Sequence, residues 1–136
     1  MYTGKERRQN PRYGAENMTA SISFQDESSG KVRFEKVQPV DFCVSGIAIE
    51  TNINLEIGSK FSLDISSGKN HASNIASIVR NVVNQGDKNR YGLKFDFAAN
   101  EYMCSEELEE ILSNIEHRVK KDHKFPHRNP YPKMTE

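Results

Sequence analysis

The 136-residue sequence predicts a mainly β domain, a small antiparallel barrel or sandwich, followed by one α-helix near the C-terminus. Three observations predict it. Apolar and polar residues alternate over several short segments, the two-residue period of a strand with one buried face. Clusters of Gly, Ser, Asn and Asp separate those segments, as turns require. Near the end the pattern changes to one apolar stripe at spacings of three and four, the period of a helix.

Taken in order, residues 1–17 are polar, contain Pro11 and Gly14, and read as a flexible leader. From Thr19 to Gln25, Ala20, Ile22 and Phe24 alternate with polar neighbours. Asp26 to Gly30 is a turn, and residues 31–42 resume the alternation at Val32 and Phe34. That run reaches Pro39, whose missing N–H implies an edge or a bulge. Ser45-Gly46 breaks the chain before a strand at Ile47-Ala48-Ile49. Asn52 to Gly58 is a connection, Phe61, Leu63 and Ile65 alternate, and Ser66 to Asn70 is another turn.

Ile75, Ile78, Val79, Val82 and Val83 stand at helical spacing. Their β-branched character and the strands on both sides assign the stretch to a strand all the same. Tyr91, Leu93, Phe95 and Phe97 alternate again, and the strand aromatics are expected to face inward. Ser105-Glu106-Glu107 reads as an N-cap with acidic first-turn residues. Leu108, Ile111, Leu112, Ile115 and Val119 form the helix stripe, with Arg118, Lys120 and Lys121 near its negative pole. Residues 122–136, with Pro126, Pro130 and Pro132, read as a loose tail. The expected division is a leader at 1–17, a folded unit at 18–121 and the tail at 122–136.

The net charge of zero conceals an uneven layout. Residues 1–12 carry Lys5, Arg7, Arg8 and Arg12 against Glu6, a net +3. Residues 117–136 carry six lysines and arginines against Asp122 and Glu136, a net +4, so residues 13–116 hold −7. Basic ends on an acidic body argue against a protein that coats nucleic-acid backbone with one broad face, and suit a local anion site. Inward-facing aromatics also argue against a barrel that stacks RNA or single-stranded DNA. Cys43 and Cys104 are too far apart in sequence to suggest a disulfide framework or a zinc site. His117, His123 and His127, on a helix end and a proline-rich tail, do not read as metal ligands with Cys104. No segment has the length and apolarity of a membrane span or a signal peptide, so a reducing cytoplasm is the expected location. No nucleophile–base pair, paired acids or phosphate-cradling glycine loop stands out, and an enzyme is not predicted.

The chemistry-bearing residues lie in two places. Arg7, Arg8 and Arg12 fall in Glu6-Arg7-Arg8-Gln9-Asn10-Pro11-Arg12-Tyr13. A guanidinium is a planar fork of donors suited to phosphate oxygens and to the O6/N7 edge of guanine. Arginines in a leader therefore suggest a clamp for an anionic ligand containing guanine. The second place is Asp41-Phe42-Cys43-Val44-Ser45-Gly46.

Together these segments resemble the PilZ domain, a six-stranded β-barrel with a C-terminal helix that binds cyclic di-GMP in bacteria. Arg8-Gln9-Asn10-Pro11-Arg12 matches the family's Arg-x-x-x-Arg, with Arg7 giving the doubled arginine. Asp41 and Gly46 match its Asp/Asn-x-Ser-x-x-Gly, and Gly92-Leu93-Lys94-Phe95 looks like its late strand. The resemblance spans about residues 6–118. It implies a cyclic di-GMP receptor with ligand residues Arg7, Arg8, Arg12, Asp41, Cys43 and Gly46, and no catalytic residue, metal or cofactor. Asp41 would accept guanine edge protons, and Gly46 would let the backbone turn tightly and approach the base. A leader that orders on binding would present an altered surface to a protein partner, with motility or exopolysaccharide machinery typical of the family. No nucleic-acid partner is implied.

Cys43 departs from the pattern, standing where the family has serine. A thiol bonds more weakly than a hydroxyl, and one neutral hydrogen bond is worth roughly 0.5–1.5 kcal/mol, up to about tenfold in affinity. The departure therefore favours an alternative, a degenerate PilZ-like adaptor that binds protein and no nucleotide. Ser45, two positions on, is not expected to take over the missing role. The helix stripe reads as core packing, with a homodimer contact as its other use.

Overall fold

The computed structural model describes residues 13–15, 17–25 and 28–124. Its elements are β1 (Tyr13–Gly14), β2 (Thr19–Gln25), β3 (Val32–Cys43), β4 (Gly46–Thr51), β5 (Lys60–Ser67), β6 (Asn70–Gln85), β7 (Lys88–Phe95), a 3-10 turn (Tyr102–Cys104) and α1 (Glu106–Lys124). Every pairing is antiparallel, in the order β1-β3-β2-β5-β6-β7-β4, and a β3–β4 ladder closes the sheet on itself. Six long strands thus make a closed barrel, and β1 is a two-residue addition against β3. Closure matters in a domain this small, since it removes most of the unpaired strand edge.

Inward positions of the six strands meet the helix in one core. Ile22, Phe42, Ile47, Ile49, Leu63, Ile75, Val79, Tyr91 and Leu93 are fully buried in it with Leu108, Leu112, Ile115 and Val119 of α1. The helix stripe is thereby used within the molecule, and those residues are not left for a dimer contact. Tyr91 buries its ring while its hydroxyl donates to the Ile53 carbonyl at 2.9 Å and accepts from Leu55 N–H at 2.9 Å. One phenol thus holds the β4–β5 connection on the barrel.

Pro39 sits where a bulge is needed. The β3–β4 register shifts between Pro39 and Asp41, leaving Val40 as the extra residue, and the bend lets β3 serve two neighbours in turn. The 70–85 stretch is a strand, as its β-branched content requires. Its helical-looking spacing comes from a second register shift between Val79 and Asn81, which changes the inward phase partway along. Ser105 caps α1, its hydroxyl accepting from Leu108 N–H at 3.1 Å, with Glu106, Glu107 and Glu109 in the first turn. Ser105→Ala is expected to lower stability by about 1 kcal/mol, measurable as a lower denaturant midpoint at unchanged slope.

Three expectations change. The folded unit starts before residue 18: Tyr13 and Gly14 pair with β3, Ala15 N–H donates to the Val40 carbonyl at 3.1 Å, and Ala15 is buried. At the other end α1 runs to Lys124, past the expected boundary at 121. The strand aromatics do not all face inward, since Phe34 is exposed and Phe24 only partly buried. The alternation at Val32 and Phe34 was that of a strand, but both lie on the outer face. Val37, opposite Ala20, is the first core residue of β3.

Candidate functional site

The 41–46 segment occupies the end of β3, a tight turn at Val44-Ser45 and the first residue of β4. Register decides which side chains share its outer face, because residues directly opposed in an antiparallel ladder project to the same side. Phe42 opposes Ile47, Ile47 opposes Leu93, and all three are core. The intervening row, Asp41–Ala48–Gly92, therefore faces outward. Cys43–Gly46–Lys94 flanks it on one side and Gln38–Glu50–Arg90 on the other.

The middle row is low. Asp41 is half-buried, Ala48 and Gly92 have almost no side chain, and a Cβ at Gly92 would lie 2.5 Å from Asn81 Oδ1 on β6. Higher side chains border this floor: exposed Lys94 on one side, and on the other Arg90, whose guanidinium meets Glu50 Oε2 at 2.8 Å. The face carries the Asp41 carboxylate, a flat floor, the Lys94 cation and the Arg90–Glu50 ion pair. A planar, anionic, hydrogen-bonding molecule fits that chemistry. A cleft of about 620 Å3 that includes Gln38 and Glu50 lies beyond the next row, and Asp41, Cys43 and Gly46 do not line it.

Gly46 is required for a reason other than a tight turn. Its φ is not positive; instead a Cβ there would collide with the Leu93 carbonyl oxygen of β7. Only a residue without a side chain lets β4 approach β7 this closely. Cys43 is buried, with its Sγ 3.1 Å from Ser45 Oγ. Ser45 thus meets the thiol two residues before it, on the side that strand spacing also gives, although no role was expected of it. Glu116 of α1 reaches the same turn, its Oε2 accepting from Val44 N–H at 3.2 Å. The helix is thereby tied to the motif by a link across 72 residues of sequence.

Arg7, Arg8 and Arg12 lie outside the described residues. The chain that follows them does not: Tyr13 opposes Phe42 and Gly14 opposes Asp41, so β1 runs alongside the strand carrying the second motif. Sequence reasoning missed Ala48, Arg90 and Glu116, and gave Ser45 no role. Cross-strand register brings Ala48 and Arg90 to the face and helix packing brings Glu116 to the Val44 amide, and neither is contained in a linear reading. Among the described residues, no group of three His, Cys, Asp or Glu could hold a metal ion, and Cys104 Sγ donates to the Phe97 carbonyl at 2.9 Å.

The PilZ domain profile matches residues 6–113, most of the chain. The chain belongs to the PilZ domain family. Its barrel resembles the PilZ domain of YcgR from Escherichia coli, solved with c-di-GMP, at TM-score 0.61 and 15% identity, covering 85% of this chain and 93% of that one. Against YcgR in complex with c-di-GMP, the identity is 13% and the TM-score 0.61, and this PilZ domain covers 47% of that chain, about half its length. The inhibitor of motility MotI/DgrA from Bacillus subtilis matches at TM-score 0.60 and 14% identity, covering 88% of this chain and 54% of that one. No curated sequence matches. At these identities the structural likeness is one of fold. Within this PilZ domain no described helix is long and apolar enough to cross a membrane.

Proposed function

We propose that this chain is a cyclic di-GMP receptor, in which the arginine segment closes over the outer face around Asp41. The observation that carries the reading is the pairing of β1 with β3, which puts Tyr13, the residue after Arg12, opposite Phe42. The few residues between Tyr13 and either Arg8 or Arg12 are short enough for those side chains to reach Asp41 and the Ala48–Gly92 floor when the segment folds back over it. In this reading the guanidiniums take phosphates and guanine O6/N7 edges, and Asp41 accepts from guanine N1–H and N2–H. Gly46 keeps β4 and β7 close under the floor, and the buried Cys43 holds Ser45 in the turn beside it. The relatives solved with c-di-GMP support the same ligand. The chain acts as a cytoplasmic receptor without catalysis, and the ordered leader presents a changed surface to a protein partner, with motility or exopolysaccharide machinery the natural candidates.

Calorimetric titration with cyclic di-GMP tests the proposal. Saturable heat at micromolar ligand is expected; no heat would sink the reading. The second reading, a PilZ-like adaptor without nucleotide, draws on one observation, that the Cys43 thiol is buried against Ser45. Cys43→Ser separates the two. Restoring a hydroxyl beside Ser45 is expected to tighten binding by up to about tenfold, whereas the adaptor reading expects no binding by either protein.

A further inference from the structure

β3 serves two neighbours in succession, and this leaves part of it uncovered. Val32 to Val37 pair with β2 on one side, whereas β4 joins the other side only from Gln38 onward. Over Val32 to Lys36 the second side carries no ladder among the described residues, so its backbone N–H and C=O groups form an open strand edge. Such edges are templates for another strand, and proteins usually protect them with charge, proline or shortness. Here the outer face of the edge instead carries Val32, 61% exposed, and Phe34, 69% exposed. Arg33 and Glu35 stand on the opposite face, paired with each other at 2.6 Å, with Arg33 also lying over the Phe24 ring.

We propose that this edge pairs antiparallel with the same edge of a second copy of the chain, about a two-fold axis at Phe34. The sequence Lys31-Val32-Arg33-Phe34-Glu35-Lys36 is self-complementary in that register. Phe34 opposes Phe34 of the second copy, Arg33 opposes Glu35, Glu35 opposes Arg33, and Val32 opposes the aliphatic stem of Lys36. Every neighbouring two-fold register fails on charge: one centred on residue 33, 35 or 36 sets like charges face to face, and one at 32 sets Lys31 against Arg33. A two-fold interface needs a self-complementary patch, and this segment supplies one. In it the existing Arg33–Glu35 pair becomes one half of a four-charge cluster, and the two phenylalanines cover each other on the outer side. A five-residue ladder is smaller than a standard interface, so the dimer is weak, with a dissociation constant of about micromolar or above.

Sedimentation velocity of the full chain over a concentration series up to about 1 mM tests the proposal, with circular dichroism confirming that each variant is folded. The wild type is expected to shift from monomer to dimer. Arg33→Glu and Glu35→Arg each create two like-charge oppositions and are expected to weaken the dimer at least tenfold. The double variant restores opposite charges in the same register and is expected to recover the dimer. Phe34→Lys is expected to be monomeric throughout. A wild type that stays monomeric across the series overturns the proposal. So does a dimer that survives Phe34→Lys, or a double variant no better than the singles.

Discussion

Arg12→Ala is expected to weaken cyclic di-GMP binding by at least tenfold, and by up to about a hundredfold. A hydrogen bond to a charged group contributes roughly 1.5–3 kcal/mol, and each 1.4 kcal/mol is a factor of ten. Arg12 directly precedes β1 in the sequence, so of the three arginines it is joined by the fewest bonds to the strand beside Asp41. Arg12→Lys keeps the charge but loses the planar fork, and should fall between wild type and alanine. Titration at fixed ionic strength makes the comparison, because screening alone changes such contacts. An unchanged affinity for Arg12→Ala would show that the arginine segment is not the clamp, even if Asp41 proves essential.

Gly46→Val should be the most damaging single change in the motif hairpin. The atom a new Cβ would strike is the Leu93 carbonyl oxygen, which is backbone held within the β4–β7 ladder. Backbone cannot swing aside as a side-chain tip can, so relief requires the strands to part over a ladder running from Gly46 to Thr51. Overpacking of this kind costs about 1–3 kcal/mol, roughly 4–15 °C of Tm for a domain of this size. Ligand affinity should fall with it, since Cys43 opposes Gly46 and Asp41 lies two residues along. Thermal unfolding measures the first effect. A Tm equal to that of the wild type would mean that β4 and β7 separate at no cost, contrary to the close approach seen here.

Much of this architecture was legible in the residues. Alternation located β2, β3, β5 and β7, β-branched content located β6, Pro39 announced an edge or a bulge, and Ser105 with its following glutamates announced the start of α1. What alternation could not supply was phase in the first half of β3. Val32 and Phe34 alternate as a core face would, yet Arg33 and Glu35 hold the opposite positions and the apolar pair faces solvent. The period of a strand is the same whichever face is buried, and only the neighbours decide which one is. The helical spacing at Ile75 to Val83 misleads for a related reason, since one bulged residue imitates a change of period.

The candidate site divides along the same line. Residue identity determined the chemistry that the chain can offer: forks of cations at Arg8 and Arg12, a carboxylate at Asp41, and a thiol at Cys43 in place of a hydroxyl. Those properties belong to side chains and survive in any fold. Tertiary structure alone decided that Gly46 is demanded by the Leu93 carbonyl and that Glu116 of the last helix holds the Val44 amide. It also decided that β4 joins β3 only from Gln38 onward, which among the described residues leaves one side of Val32 to Lys36 as an open edge. Each of these depends on which element lies beside which, and at what register. Register is set by the packing of the whole barrel, so no local stretch of sequence contains it.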